Sequence, residues 1–225
     1  MALAFHICAA EPILIEIDSL VIAGWTGRDL QAIEHHIEEL EAIGVPRPSA
    51  IPLFYRVASQ QMSQAGTIEV LGGHTSGEVE PLLLVKEGEW FVSIASDHTD
   101  RQLETHSVAW SKQICPKPVA TAAWRLNDVL PHWDQLIIRS WIEEDGEYRL
   151  YQEGTLAALR TPSDLLARFA PAGALPHNGF AMSCGTVGAI GGIRSAVNFR
   201  MELEDPVLGR RIEHCYSSRV LPVVA

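Results

Sequence analysis

Glu78 and Glu80 stand two residues apart in the stretch Gly77-Glu78-Val79-Glu80-Pro81, and Asp97 follows one apolar segment later. In an extended chain, residues i and i+2 point to the same side. The run Leu82-Leu83-Leu84-Val85 directly behind them reads as a buried strand. Such a strand carries two glutamates on one face toward an apolar interior, where their charge must be neutralised. Asp97 ends the next apolar run, residues 90–95, so a hairpin would return it to the same place. Three carboxylates with no thiolate make a site for a hard ion, Mg²⁺ or Mn²⁺, with waters and substrate completing an octahedron. The same spacing also fits a polar hairpin end with two solvated glutamates, since E-x-E is a short pattern.

A second set of chemical residues lies upstream. His36 and Glu39 are three residues apart, as are His35 and Glu38. If this segment is a helix, Leu30, Ile33, Ile37, Leu40 and Ile43 form its apolar face. His36 then lies roughly 60° from the centre of that face and His35 roughly 160°. His36 and Glu39 therefore flank the buried side, while His35 and Glu38 look outward. A histidine hydrogen-bonded to a carboxylate can hold a water and take its proton. An ordinary amphipathic helix with polar i,i+3 pairs has the same pattern. His98, His106, His132, His177 and His214 lack a comparable partner and read as surface or structural. There is no G-x-S-x-G elbow, no H-E-x-x-H and no strand–G-x-G-x-x-G–helix unit.

The elements that must position these residues follow from periodicity and turn chemistry. Residues 13–17 and 20–24 read as a strand pair across Asp18-Ser19. Thr26 reads as the N-cap of a helix over residues 27–43, with Asp29 completing a capping box, and Gly44 and Pro46 ending it. Beyond residue 60 the pattern is mostly short strands, over 68–71, 80–86, 90–95, 136–143, 147–153, 180–184 and 197–203. Short helices are predicted over 101–113 and from an N-cap at Ser163 to residue 169. The fold class is α+β, mostly β. A small N-terminal strand–helix subdomain (1–60) precedes a larger β-rich domain (61–225).

Composition limits the partners. The 225 residues are 47% hydrophobic with a formal net charge of −11, which disfavours nucleic acid and anionic membranes. The four cysteines are scattered with no C-x-x-C spacing, so a reduced cytoplasmic setting is expected. No Lys or Arg precedes Arg28, and Glu16 and Asp18 interrupt the apolar stretch 13–25. Neither a signal peptide nor a membrane span is expected there.

Taken in order, these segments resemble the fumarylacetoacetate hydrolase superfamily over residues 21–222. Ile22-Ala23-Gly24-Trp25-Thr26 with the His36-x-x-Glu39 helix is similar to that family's G-x-N-Y…H-x-x-E opening. Glu78-Val79-Glu80-Pro81-Leu82 resembles its E-x-E-L metal strand, and Ser96-Asp97-His98-Thr99-Asp100-Arg101-Gln102-Leu103-Glu104 its N-D-x-S-x-R-D-x-Q segment. Lys112 resembles the lysine preceding C-P-x-G-P. Glu144 to Glu147 with Gln152-Glu153-Gly154-Thr155 resembles N-G-E…Q-x-G-x-T. Pro176 to Phe180 with Ser183-Cys184-Gly185-Thr186 resembles P-G-D-v-I…T-G-T-P-x-G.

The resemblance implies a rolled mixed β-sheet, a homodimer and a small 2-oxo acid substrate. It implies Mg²⁺ or Mn²⁺ on Glu78, Glu80 and Asp97. His36, oriented by Glu39, would activate water for carbon–carbon cleavage of a 2,4-dioxo acid. Lys112 and Arg101 would neutralise oxyanions, and Thr186 would contact the substrate carboxylate. Three departures stand out. Ser96 replaces Asn, Cys184-Gly185-Thr186-Val187 replaces T-G-T-P, and Glu104 replaces the last Gln. An ionised Glu104 cannot donate to an oxyanion. It either carries a proton or pairs with Arg101 one helical turn earlier, and the ion pair costs less than burying a neutral acid. Decarboxylases, hydratases and isomerases of related oxo-acids share the fold, as would a non-catalytic binding protein.

Overall fold

Leu82, Leu83, Leu84 and Val85 are all fully buried. A strand with one solvated face would alternate instead, so an apolar core lies on each side of this one. The computed structural model describes residues 1–7, 11–42, 47–170 and 175–224; the side chains of His36, Glu39, Leu40 and Ala42 lie outside the described residues. In chain order the strands are β1 (Ala2–Ile7), β2 (Ile13–Gly24), β3 (Leu53–Val57), β4 (Met62–Ser63), β5 (Thr67–Leu71), β6 (Thr75–Ser76), β7 (Val79–Lys86) and β8 (Glu89–Ser96). There follow β9 (Thr99–Asp100), β10 (Lys117–Pro118), β11 (Ala122–Arg125), β12 (Ile137–Glu144), β13 (Glu147–Thr155), β14 (Gly179–Ser183), β15 (Asn198–Asp205) and β16 (Arg210–Leu221). The helices are α1 (Leu30–Ala42), α2 (Arg101–Glu104), α3 (Val108–Ile114), α4 (Leu126–Val129) and α5 (Pro162–Phe169).

Seven strands hydrogen-bond in the order β1-β11-β8-β7-β14-β2-β3, and β1 also pairs with β2. That extra pairing closes the sheet on itself. The long strand β2 makes closure possible: residues 13–16 pair with β1, while residues 17–22 pair with β14. The pairings are mixed, parallel for β1–β11 and β14–β2 and antiparallel for β7–β8 and β14–β7. A second sheet, β13-β12-β15-β16-β5, packs outside the roll. This is the rolled mixed β-sheet expected of the α+β, mostly β class.

The pleat divides the side chains between two cores. Phe5, Ile15, Ile17, Leu82, Leu84, Phe91, Ala123 and Ala181 fill the inside of the roll. Val79, Leu83, Val85, Val92 and Met182 face outward and pack on Ile138, Phe199, Met201 and Leu203 of the second sheet. Pro81 is tolerated inside β7 because β14 runs out beside it. The last β14 residue, Ser183, pairs with Leu82, and Pro81 needs only its carbonyl, which accepts from Cys184 N at 2.9 Å.

Several local expectations are corrected. Residues 13–24 form one strand, not a hairpin; Asp18 takes up a register shift opposite Gly179–Phe180. Within the first 60 residues, β1, β2 and β3 share the sheet of β7, β8, β11 and β14. The cap of α1 is Asp29, whose Oδ1 accepts from Gln31 N and Ala32 N, while Thr26 is buried beneath. The expected stop at Gly44 and Pro46 lies outside the described residues. The helix over 101–113 is two, because Ser107 accepts from Trp110 N and starts α3 afresh. Thr161, not Ser163, caps α5, with Pro162 in the first turn. No helix among the described residues is long and apolar enough to cross a membrane.

Leu83 touches the outer core and sits on a strand with no exposed face. Leu83→Ala should lower unfolding free energy by about 2–5 kcal/mol, read from urea titration.

Candidate functional site

Glu78, Glu80, Leu82 and Leu84 share one pleat face, and Leu82 and Leu84 point into the roll. Phe91, Ala95 and Asp97 share the corresponding face of the neighbouring strand. The hairpin pairs Glu80 with Ala95, and Asp97 N donates to Glu78 O at 2.9 Å. The three carboxylates therefore meet at one open end of the roll, each offering an oxygen within 4.8 Å of the others. Glu80 and Asp97 are buried and Glu78 is half-buried.

Glu80 is anchored from β14 and the turn behind it. Its Oε2 accepts from Ser183 Oγ at 2.5 Å and Gly185 N at 3.1 Å. Gly185 has φ +89°, and a Cβ there would sit 1.8 Å from Thr26 Oγ1, so glycine alone lets this turn reach Glu80. Burial, reinforced by Asp97, raises the Glu80 carboxyl to about 8.

Asp97 is held by two lysines. Lys112 from α3 binds its Oδ2, and Lys117 from β10 lies 3.0 Å from its Oδ1. Burial opposes the charge of Asp97, but the two ammoniums prevail and hold its carboxyl below the usual range. Burial likewise opposes the charge of Lys112; Asp97, Glu78 and Glu80 outweigh it and raise that lysine. Lys117 is drawn down by burial, Asp97 opposing. The Lys112 ammonium also lies 5.6 Å from the ring centre of Tyr55 on β3.

Arg101 joins the metal-type residues to the departure at Glu104. Its Nη1 donates to Glu104 Oε2 at 2.9 Å, its Nε to Ser76 Oγ at 2.7 Å, and its Nη2 lies 3.3 Å from Glu78 Oε1. Of the two arrangements open to Glu104, the ion pair is the one found. Thr186 donates its one hydroxyl proton to Val79 O at 2.6 Å and accepts from Gln152 Nε2 at 2.8 Å. A substrate carboxylate would have to displace Val79 from it. The side chains of His36 and Glu39 lie outside the described residues, and His35 is exposed on α1.

Sequence reasoning missed Lys117, Ser183, Ser76 and Tyr55. A signal existed for Lys117: a lone lysine in the run Pro116-Lys117-Pro118-Val119-Ala120 is a charge entering an apolar segment. His98, read as surface or structural, is buried and structural. Its ring bonds Tyr216 Oη at 2.9 Å and Thr75 Oγ1 at 2.8 Å, and burial, with Lys117 and Arg101 nearby, lowers it to about 3. Tyr216 Oη continues to Ser96 Oγ at 2.8 Å, which accepts from Glu78 N.

The three oxygens are hard donors, close enough to share one ion, and Glu80 is otherwise a buried acid short of charge partners. The set fits Mg²⁺ or Mn²⁺.

The family described as protein of unknown function (DUF2848) matches residues 23–216. No curated protein matches the chain. A solved structure of a candidate fumarylpyruvate hydrolase from Burkholderia cenocepacia is 17% identical, with TM-score 0.63, covering 100% of this chain and 96% of that one. A candidate fumarylacetoacetate isomerase/hydrolase from Oleispira antarctica is 16% identical, with TM-score 0.64 and coverage of 96% and 98%. A 5-carboxymethyl-2-hydroxymuconate delta-isomerase from Mycobacterium smegmatis is 14% identical, with TM-score 0.59 and coverage of 94% and 81%. At these identities the likeness is one of fold, and the fold is that of the fumarylacetoacetate hydrolase type.

The raised Glu80 carboxyl has a consequence for the metal-free protein. The folded state holds a proton that the unfolded glutamate releases near its ordinary value. The stabilisation is therefore complete below about pH 4.5 and is lost as pH rises through about 8. In EDTA, the melting temperature of the wild type should fall relative to that of Glu80→Gln across this window. Parallel profiles would contradict the assignment.

Proposed function

We propose that this chain, which belongs to the DUF2848 family, is a divalent-metal-dependent enzyme of the fumarylacetoacetate hydrolase superfamily that acts on a small 2-oxo acid. The favoured reaction is hydrolytic carbon–carbon cleavage of a 2,4-dioxo acid such as an acylpyruvate. The observation that carries this reading is the convergence of Glu78, Glu80 and Asp97 at the mouth of the roll, with Lys112 beside them. Glu78, Glu80 and Asp97 would hold Mg²⁺ or Mn²⁺. Bound there, the ion supplies a Lewis acid for the 2-oxo acid end of the substrate and for the negative charge that gathers on it.

The chain's own residues would do the rest. His36, oriented by Glu39, takes a proton from water as that water adds to the distal carbonyl. As the carbon–carbon bond breaks, its electron pair moves toward the 2-oxo end. Lys112 would neutralise this charge, since its ammonium stands beside the three carboxylates on Asp97 Oδ2. Arg101 orients the carboxylates through Ser76 and Glu104, and its Nη2, which makes no hydrogen bond, would neutralise oxyanion charge together with Lys112. Thr186 reaches the substrate carboxylate only by exchanging Val79 for it. A homodimer in a reduced cytoplasmic setting, binding neither nucleic acid nor membrane, belongs to the same proposal.

The second reading keeps the metal and substitutes decarboxylation, hydration or tautomerisation. A carboxylate at position 104 favours it, because Glu104 can exchange protons where an amide cannot. Product analysis with a set of acylpyruvates separates the two readings. A non-catalytic binding protein would show no turnover, and removing the His36–Glu39 pair would then change nothing.

The metal assignment is tested by calorimetric titration with Mn²⁺. Glu80→Gln should abolish tight binding and keep the fold, because the amide oxygen still accepts from Ser183 and Gly185. Asp97→Asn should abolish binding too. It should also lower stability, since two buried ammoniums lose their counter-ion. Unchanged affinity in both variants removes the site.

The histidines are separated by kinetics. His36→Ala should lower kcat on an acylpyruvate by at least about a hundredfold, the usual scale for a general base. His35→Ala should be nearly silent. A larger loss in His35→Ala would overturn the assignment.

A further inference from the structure

Lys117 takes no part in the chemistry above, yet its side chain is only 2% exposed and ends at a candidate metal ligand. Its Nζ lies 3.0 Å from Asp97 Oδ1 and 2.5 Å from His98 O. The short strand β10, paired with Met62–Ser63, fixes the backbone that presents it. Lys112, on the other oxygen of Asp97, lies beside Tyr55. Both lysines are buried, Lys117 the more completely.

Among the described residues, four carboxylates, Glu78, Glu80, Asp97 and Glu104, face three cations, Arg101, Lys112 and Lys117. With Glu80 deprotonated, as ligation of an ion requires, the group carries one unit of negative charge. A divalent ion converts that to one unit of positive charge. Without Lys117 the loaded group would be neutral. A net charge in a site this enclosed is unfavourable until a counter-ion joins it. We propose that Lys117 is the charge that makes metal uptake at this site depend on a monoanionic ligand. It disfavours the ion alone and favours the ion together with a 2-oxo acid carboxylate. Metal and anion then bind with positive coupling, each raising the affinity for the other. The inference rests on the 2-oxo acid reading above and adds an order to it, with the anion completing a site that holds its ion weakly beforehand. Lys117 acts here through Asp97 and the ion, without touching substrate.

The test is calorimetric titration of Mn²⁺ into the full-length protein alone, with saturating pyruvate, and with neutral methyl pyruvate. In the wild type, pyruvate should raise Mn²⁺ affinity about tenfold and methyl pyruvate should not. Lys117→Met should bind Mn²⁺ alone about tenfold more tightly than the wild type, and pyruvate should then add less than about threefold. Lys117→Arg, which keeps the charge, should retain the wild-type coupling. Circular dichroism establishes that each variant is folded, and Lys117→Gln replaces Lys117→Met if that one is not. Weaker or unchanged Mn²⁺ binding in a folded neutral variant overturns the inference, because Lys117 would then only position Asp97. Equal Mn²⁺ affinity of the wild type with and without pyruvate overturns it with no variant needed. Absence of Mn²⁺ binding in every arm has a different meaning: the metal site of the proposed function falls, and this inference with it.

Discussion

Asp97 lies at the open end of a closed β-roll with Lys112 on one carboxylate oxygen and Lys117 on the other. Removing one partner from a buried ion pair of this kind costs about 3–5 kcal/mol, because the charge left behind has no water to turn to. The surrounding elements are arranged around that constraint. β8 must end at the mouth to deliver Asp97. Ser107 must break the helical segment so that α3 starts afresh and brings Lys112 back across it. β10 must enter the interior with a lysine where the adjoining residues are apolar. Glu78 is drawn to Arg101, and Glu80, left with Ser183 and Gly185, becomes the acid with the least charge compensation.

The same end of the roll shows why the backbone is crowded with special residues. Gly77 lies so close to the Ser96–Tyr216 pair that a Cβ would stand 2.3 Å from Tyr216 Oη. That pair, with His98, carries the hydrogen bonds behind the Glu78 backbone. Gln152 reaches across from the second sheet, accepting from Val79 N at 3.0 Å and donating to Thr186 and Val187. The strand bearing the glutamates is thus held at its start by polar contacts and along its length by two apolar cores. Side chains placed on such a strand keep their spacing with little help from flexible loops.

The sequence made some of this legible and hid the rest for physical reasons. The period of two around Glu78 and Glu80, and the apolar runs flanking them, located β7, β8 and the cluster they carry. Short-range chemistry was read less well. Thr26 and Ser163 both have the side chain of a cap, but Asp29 and Thr161 occupy those positions because burial of Thr26 under Gly185 and the first-turn Pro162 shift the helix starts. β1, β11 and β16 escaped notice. β11 gains its place from the distant strands β1 and β8, whereas β1 and β16 form hairpins with β2 and β15 and pair with a distant strand only on their other edge. Closure of the roll depends on β2 being one long strand, while Asp18-Ser19 has the composition of a turn. Lys117 was overlooked because a lone lysine is usually solvated; only the fold shows it sealed against Asp97.

Fold likeness by itself does not choose a reaction, since solved proteins of this fold carry hydrolase and isomerase descriptions at comparable distance. The choice must lie in donors free to meet developing charge. Arg101 has its Nε on Ser76 and its Nη1 on Glu104, while its Nη2 lies 3.3 Å from Glu78 Oε1 and makes no hydrogen bond, so a donor there stays open to a ligand. Where the related motif has an amide at position 104, an arginine at this place would lack that second anionic hold. Glu104 therefore changes two residues at once: it removes an amide donor and ties down a guanidinium. Lys112, buried next to the Tyr55 ring, holds Asp97 in the same way. How firmly the carboxylates hold Arg101 and Lys112 therefore limits what either cation can offer a ligand.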